Sequence, residues 1–273
     1  MRTSPYQPVF SSFGQVYRAT HIGSGAVVAI KIVDLKSKWQ QSEQQAINEI
    51  NLMKSIDHAN IAKYYESYVT TVERNRLILP RDHKKLWIVM EYLDINFHQL
   101  LRTPTEKRRE EHLAYVIQEV LNGLIYLHRN RINHGDIDIK NVMLNDKAEV
   151  KLIDFGCATK IEATNIRKDV EFFRSKLLEG MPRTGSDLMR ESDVNIVKKD
   201  WRVFADFKKA AADVMDSRSR DQLAAFEKLR KHDWIETADN VDLDDIVKEI
   251  RTKVTRHYAR YFPPRTPDLK VWL

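Results

Sequence analysis

From Gly14 to Leu35 the chain reads GQVYRATHIGSGAVVAIKIVDL, two runs rich in Val, Ile and Tyr on either side of Ile-Gly-Ser-Gly. β-Branched and aromatic residues suit a pleated strand, and the glycines accept turn backbone, so the pattern predicts a hairpin. The period then changes. In SEQQAINEINLMKSI (42–56), Ile47, Ile50 and Met53 recur at helical spacing, and Ser42 followed by Gln45 offers an N-terminal cap. Two further strands are expected at AKYYESYV (62–69) and KLWIVMEYL (85–93), with the charged stretch ERNRLILPRDHKK as the loop between them.

Beyond residue 97 the helical period dominates. In REEHLAYVIQEVLNGLIYLHRN (109–130), Leu113, Val116, Ile117, Val120, Leu121, Leu124 and Leu127 hold a 3.6-residue repeat, which predicts a long helix with one buried face. Two short strands, NVMLN and EVKLIDFG, follow around the turn Asp146-Lys147-Ala148. Helices fill the rest. The last is expected from Asp242 to about Tyr261, with Leu243, Ile246, Val247, Ile250, Val254 and Tyr258 on one face, and it should stop at Pro263-Pro264. This order describes an α+β chain of two lobes hinged near Glu91–Asp94: a β-rich lobe over 1–92, a larger and mostly helical lobe over 93–235, and a helical tail over 236–273.

With 42% apolar and 31% charged residues the chain has the composition of a globular protein, not of a disordered or fibrous one. The excess of 45 Lys and Arg over 39 Asp and Glu is small for 273 residues and does not by itself indicate nucleic acid. One cysteine, Cys157, allows no internal disulfide and no thiolate metal cluster, which fits a reducing compartment, cytoplasm or nucleus. Its neighbourhood suggests a buried small residue more than a reactive thiol. The nine His show no metal-binding spacing, and the first ten residues lack the apolar run of a signal peptide.

Four groups of residues point to phosphoryl transfer. This chemistry needs a cation on the phosphates, oxygens to hold Mg²⁺ and a base aimed at the acceptor hydroxyl. Val28-Ala29-Ile30-Lys31 ends in a strand lysine, and Glu49 follows 18 residues later in a helix, where it can pair with that lysine. Asp136 and Asn141 stand five apart in INHGDIDIKNVMLN (132–145). Asp154-Phe155-Gly156 then closes a strand, its Asp 18 residues after Asp136.

In this order, with LWIVMEYLD, EEHLAYVIQEVLNGLIYLHRNRINHGDI and AEVKLIDFGCATKI around them, the chain resembles a eukaryotic protein kinase domain of the germinal-centre kinase group of Ser/Thr kinases. The resemblance runs from about Phe10 to Ile235. DVEFFRSKLLEGMP (169–182) resembles the central helix of the large lobe, and MDSRSRDQLAAFEKLRKHDWI (215–235) resembles the end of the kinase domain. The resemblance implies ATP and Mg²⁺ as cofactors. Lys31 would hold phosphates and Glu49 would orient it, while Gly14, Val16 and Ala29 would line the nucleotide. Met90 would be the gatekeeper, and Glu91 to Leu93 the adenine-binding hinge. Asp136 would be the catalytic base; Asn141 and Asp154 would bind the metal.

Four departures from the family pattern bear on function. VFSSFG (9–14) keeps only Gly14 of the glycine-rich loop, with Val9 and Ser11 at the other two positions. Gly135 replaces the Arg that would gather a phosphorylated activation loop. Asp138 reverses the charge of the lysine that a Ser/Thr kinase places two residues after its base; Lys140, four residues after Asp136, either supplies that charge or pairs with Asp138 at the surface. Only CATKIEATNIRK separates Gly156 from Asp169, and no Ala-Pro-Glu follows. Placing the central helix at SDVNIV (192–197) would restore a normal length but leave only 27 residues between Asp193 and Arg220, so Asp169 is preferred. Arg220 is then without its usual glutamate.

The expected function is an ATP-dependent Ser/Thr protein kinase of weak or restricted activity, acting on a protein substrate, with neither nucleic acid nor membrane as partner. The alternative is a pseudokinase, a nucleotide-binding scaffold for a regulatory partner. His134-Gly135-Asp136 followed by Asn141 also resembles small atypical kinases and small-molecule phosphotransferases. The basic and aromatic RTKVTRHYARYFPPR (251–265) reads as a docked tail.

Overall fold

A computed structural model describes residues 2–3, 9–11, 14–35, 40–72, 83–103, 105, 109–162, 168–181, 202–216, 221–238 and 241–261. Of the expected loop over 73–85, residues 73–82 lie outside these residues, while His83 to Lys85 are strand; the alternative helix at 192–197, Arg220, Pro263-Pro264 and the side chain of Tyr258 also lie outside.

The amino-terminal lobe is an antiparallel sheet. Its strands are β1 (Arg2–Thr3), β2 (Val9–Ser11), β3 (Gly14–Thr20), β4 (Val27–Leu35), β5 (Tyr64–Val72) and β6 (His83–Glu91). The main path is β1-β3-β4-β6-β5, with β2 pairing β3. The predicted hairpin forms between β3 and β4, closed by Gly25 N–H to His21 O at 2.9 Å, and Gly25 takes φ 72° at the turn. Registers put Val16 and Ile88 opposite Lys31, and Met90 opposite Ala29. Directly paired residues share a face, so these side chains line one side of the sheet, the side that α1 (Gln40–Ser55) covers.

Helix α1 begins at Gln40, so Ser42 stands inside the helix and not at its cap. Its buried face is also turned from the predicted stripe. Ile50 and Met53 are buried, but Ile47 is 41% exposed. Glu49 occupies the buried face, 3% exposed, because it meets Lys31 there. An ion pair has displaced an apolar residue from the contact.

The large lobe is built on α3 (Glu110–Arg129), and all seven of its predicted apolar positions are fully buried. Around it stand β7 (Ile95–Asn96), α2 (Phe97–Arg102), β8 (Ile132–Asn133), β9 (Val142–Leu144), β10 (Val150–Leu152) and β11 (Thr159–Lys160). The order β10-β9-β7 forms one small sheet, and β11 pairs β8. Helix α4 (Lys168–Phe172) runs directly into a π-helical turn, Phe173–Leu178, and α5 (Arg202–Asp216), α6 (Gln222–Arg230) and α7 (Asp233–Glu236) follow. Trp234 of α7 is fully buried, with its ring 4.8 Å from Phe204 and 4.7 Å from Phe207. Helix α8 (Asp244–Tyr261) buries Ile246, Val247 and Ile250 in the same core, and Arg251 reaches back to pair with Asp94 at 3.1 Å. Among the described residues no helix is long and apolar enough to cross a membrane.

Because Leu124 lies on the buried face of α3 with no exposure, Leu124→Ala should cost about 2–5 kcal/mol, the range for a buried Leu cut to Ala. Urea unfolding followed by circular dichroism would measure it.

Candidate active site

The site lies where the sheet, α1 and the loops around β8–β10 meet. Lys31 Nζ donates to both carboxylate oxygens of Glu49, at 2.8 and 2.9 Å, and to Asp154 Oδ1 at 3.0 Å. Lys31 and Glu49 are 2% and 3% exposed. Burial alone would lower the Lys31 ammonium, but the two carboxylates outweigh it and hold its pKa above the ordinary value. Burial pushes the Glu49 carboxyl up, with Lys31 opposing. The two-oxygen contact favours the charged pair.

Asp154 owes its position to backbone strain and a buried ring. Its φ is 63° and ψ 72°, left-handed values uncommon outside glycine. The next residue, Phe155, is 1% exposed and packs 4.8 Å from the His134 ring. With Phe155 pinned in the core, the Asp154 carboxylate is turned up towards Lys31. His134 is itself buried, which depresses its pKa. Its Nε2 donates to Ile153 O at 3.0 Å, and its Nδ1 accepts from Asp136 N–H at 3.3 Å.

Asp136 lies at the mouth of the site. Asn141 Nδ2 donates both to its backbone carbonyl (2.9 Å) and to Oδ2 (3.0 Å), which fixes the carboxylate and leaves the Asn141 amide oxygen for other work. Lys176 Nζ stands 2.8 Å from Oδ1. Lys140, expected either to reach the γ-phosphate or to pair with Asp138 at the surface, is exposed; its backbone N–H donates to Asp138 Oδ1 at 2.9 Å, a turn contact and not an ion pair. The cation at Asp136 is Lys176. One signal for it was readable, the seven-residue step from Asp169 that places both on one helix face. The π-helical turn that sets its direction was not.

The whole loop hangs on Asp169. This carboxylate, with no exposure, accepts from His134 N–H and Gly135 N–H, both at 2.7 Å, and from His128 Nε2 at 2.9 Å. Burial would raise its pKa; the His128 bond, the two imidazoles and Gly135 N–H reverse that and hold it below the usual carboxylate range. The preference for Asp169 as the start of the central helix therefore has its physical ground. Downstream of Gly156, β11 still pairs β8, with Thr159 opposite Asn133, so the shortened segment leaves the site along a defined path.

Gly135 is a geometric requirement as well as a lost arginine. Its φ is 80°, and a Cβ there would fall 2.3 Å from the Cys157 carbonyl oxygen. Burial and the nearby Asp136 push the half-buried Cys157 thiol up, away from nucleophilic use.

At the hinge, Ala29 and Leu93 are buried, and Val16 and Met90 are half-buried. The Glu91 carboxylate points away from the cleft, accepting Lys63 N–H at 3.1 Å and pairing with Lys151 at 3.4 Å. Gly14 stands opposite Ser11 in the β2–β3 register.

Residues 11–174 match the protein kinase domain pattern, more than half of the chain. The chain belongs to the protein kinase domain family. It is 34% identical over 161 residues to Misshapen-like kinase 1 of Rattus norvegicus, covering 58% of this chain and 11% of that protein. The same identity and coverage of this chain hold for the serine/threonine-protein kinase mig-15 of Caenorhabditis elegans, at 14% of its length. The serine/threonine-protein kinase dst1 of Dictyostelium discoideum is 37% identical over 150 residues, 55% of this chain and 18% of that one. The match thus spans under a fifth of each of these relatives. The resemblance to Ser/Thr kinases of the germinal-centre group holds, and the small-molecule phosphotransferase reading is set aside.

Two variants test the loop, Gly135→Ala and Asp169→Asn, with Gly25→Ala in the β3–β4 turn as the reference. Gly25 and Gly135 share a positive φ, but only Gly135 is crowded. Gly25→Ala should cost about 1–2 kcal/mol, the left-handed penalty, and Gly135→Ala distinctly more, by denaturant unfolding. Asp169→Asn should cost about 3–5 kcal/mol at pH 7, as expected when one member of a buried charged network is removed. Since the folded pKa is depressed, the wild-type advantage should be full above the ordinary value of about 3.9 and shrink as pH falls through the lower folded one. Unfolding curves at pH 7 and pH 3 would check the sign.

Proposed function

We propose that the chain is an ATP-dependent protein kinase that transfers the γ-phosphate to a Ser or Thr hydroxyl on a restricted set of protein substrates. The observation that carries this reading is the assembled Lys31–Glu49–Asp154 triad, with Asp136 and Asn141 in place beside it. Pinned by Glu49, Lys31 faces the position of the α- and β-phosphates; the left-handed Asp154 is turned towards the same place. The Asp136 carboxylate, held by Asn141, accepts the proton of the acceptor hydroxyl.

The donors present fit Mg²⁺. Asp154 and Asn141 offer a carboxylate and an amide oxygen, hard ligands for a cation that takes only one or two protein groups and fills its remaining positions with phosphate and water. When bound, the ion neutralises charge on the transferred group. The Met90 side chain and the backbone of Glu91 to Leu93 border the adenine position. The reduced glycine loop supports weaker nucleotide binding than the full pattern gives.

A second reading, a nucleotide-binding scaffold without transfer, is favoured by Asp138 and by the short segment after Gly156, which leaves little platform for a substrate peptide.

Thermal shift with ATP, with and without Mg²⁺, tests the site. Wild type should be stabilised most with both present. Lys31→Met should lose the shift, and Asp154→Asn should lose its Mg²⁺-dependent part. No shift in wild type would sink both readings. Labelled ATP with a basic protein substrate separates them, since a shift without phosphate transfer favours the scaffold.

A further inference from the structure

At the reacting end of the site, positive charge is scarce. Asp136, Asp138 and Asp154 all stand near the path of a transferred phosphoryl group, itself negative. Lys31 is committed to Glu49 and Asp154. Lys140 is exposed, and Asp138 accepts its N–H on the outer side of the turn. What the described residues bring to the base itself is Lys176, 2.8 Å from Asp136 Oδ1.

Lys176 is held by its surroundings. Its ammonium lies 4.0 Å from the centre of the Phe172 ring, within the range of a cation–π contact. It sits in the π-helical turn Phe173–Leu178, sealed by Glu179 N–H to Arg174 O at 3.1 Å, one residue longer than an α-turn. Such insertions re-aim side chains and recur at functional sites. Two residues beyond the turn, Gly180 lets the helix end press on the loop: a Cβ there would fall 2.7 Å from Lys176 O and 3.2 Å from the Ile139 side chain. Ile139 lies between Asp138 and Lys140, so the turn and the loop are packed as one unit. The Lys176 and Asp136 side chains remain 37% and 25% exposed, open to an incoming substrate. The match to the family pattern ends at residue 174, before Lys176.

We propose that Lys176 is a catalytic residue of this chain, reaching from the π-helical turn to contact the γ-phosphate in place of the lysine that Asp138 has displaced. The inference rests on the kinase reading above. In the step, the bond between the γ-phosphorus and the β,γ-bridging oxygen breaks, and its electron pair stays on ADP. A bond forms from the acceptor oxygen to that phosphorus, and the hydroxyl proton passes to Asp136. An ammonium has three donors, so Lys176 contacts a γ-phosphate oxygen while it stays on Asp136, both in the ground state and through the transfer. Lys176 forms no covalent bond and keeps its proton.

The test compares binding of Mg²⁺-ADP and of Mg²⁺ with the non-hydrolysable ATP analogue AMP-PNP, by calorimetry on the full chain, for wild type, Lys176→Met, Lys176→Arg and Lys140→Met. Wild type should prefer AMP-PNP. Lys176→Met should weaken AMP-PNP binding about tenfold, as for one lost charge-assisted contact, and leave ADP unchanged. Lys176→Arg keeps the charge and should keep most of the preference. In phosphate transfer, Lys176→Met should lower kcat by about 10²–10³-fold, the range for a lost transition-state donor. The proposal is overturned if Lys176→Met binds both nucleotides as wild type does, if its kcat rises, or if Lys140→Met carries the loss instead. Wild type that binds neither nucleotide sinks the kinase reading and this inference together; nucleotide binding indifferent to Lys176 sinks this one alone.

Discussion

The carboxylate of Asp169, sealed from solvent, accepts the backbone N–H groups of His134 and Gly135 and the ring of His128. A loop that must present Asp136 and Asn141 cannot satisfy those N–H groups in a regular ladder, because its backbone is neither helix nor strand. Left unpaired in the core, each would cost about 1–3 kcal/mol. One buried acid at the head of the central helix meets both and ties the loop to the rigid body of the large lobe. Everything downstream inherits that position: the Asp136 carboxylate, the His134 ring against Phe155, and through Phe155 the aim of Asp154 at Lys31.

This arrangement explains how the site keeps its shape although the stretch after Gly156 is short. The loop that carries Asp136 and Asn141 is held from below, by Asp169, and from the side, by the β8–β11 pair. Neither support passes through residues 163–167 or through an Ala-Pro-Glu platform. The geometry of Asp136 and Asn141 is therefore separable from the stretch that follows Gly156. A chain can shorten the second without disordering the first.

The fold was legible in the sequence because its strongest signals are periodic. The seven apolar positions of α3 and the β3–β4 hairpin needed only pattern and turn chemistry. The acidic and basic residues of the cleft were legible by order and spacing. What escaped was set by tertiary contacts. Ile47 read as a core position, but burying Glu49 against Lys31 turned α1 away from it. Ser42 read as a cap, but the helix started a half-turn earlier. Lys176 lies forty residues from Asp136, and no spacing between the two announces a contact that a π-helical turn brings about. The reach of Glu91 to Lys151, rather than into the cleft, could not be read without knowing that β10 passes behind the hinge.

Gly135 carries a consequence for descent. A replacement of arginine by glycine is usually reversible by a single change. Here the backbone is left-handed, with φ 80°, and the Cys157 carbonyl oxygen occupies the volume a Cβ would need. A back-mutation would meet a clash before it could meet a phosphate, so regaining the arginine requires prior changes in the chain around Cys157. An arginine at this position and the present path of the chain past Cys157 exclude one another.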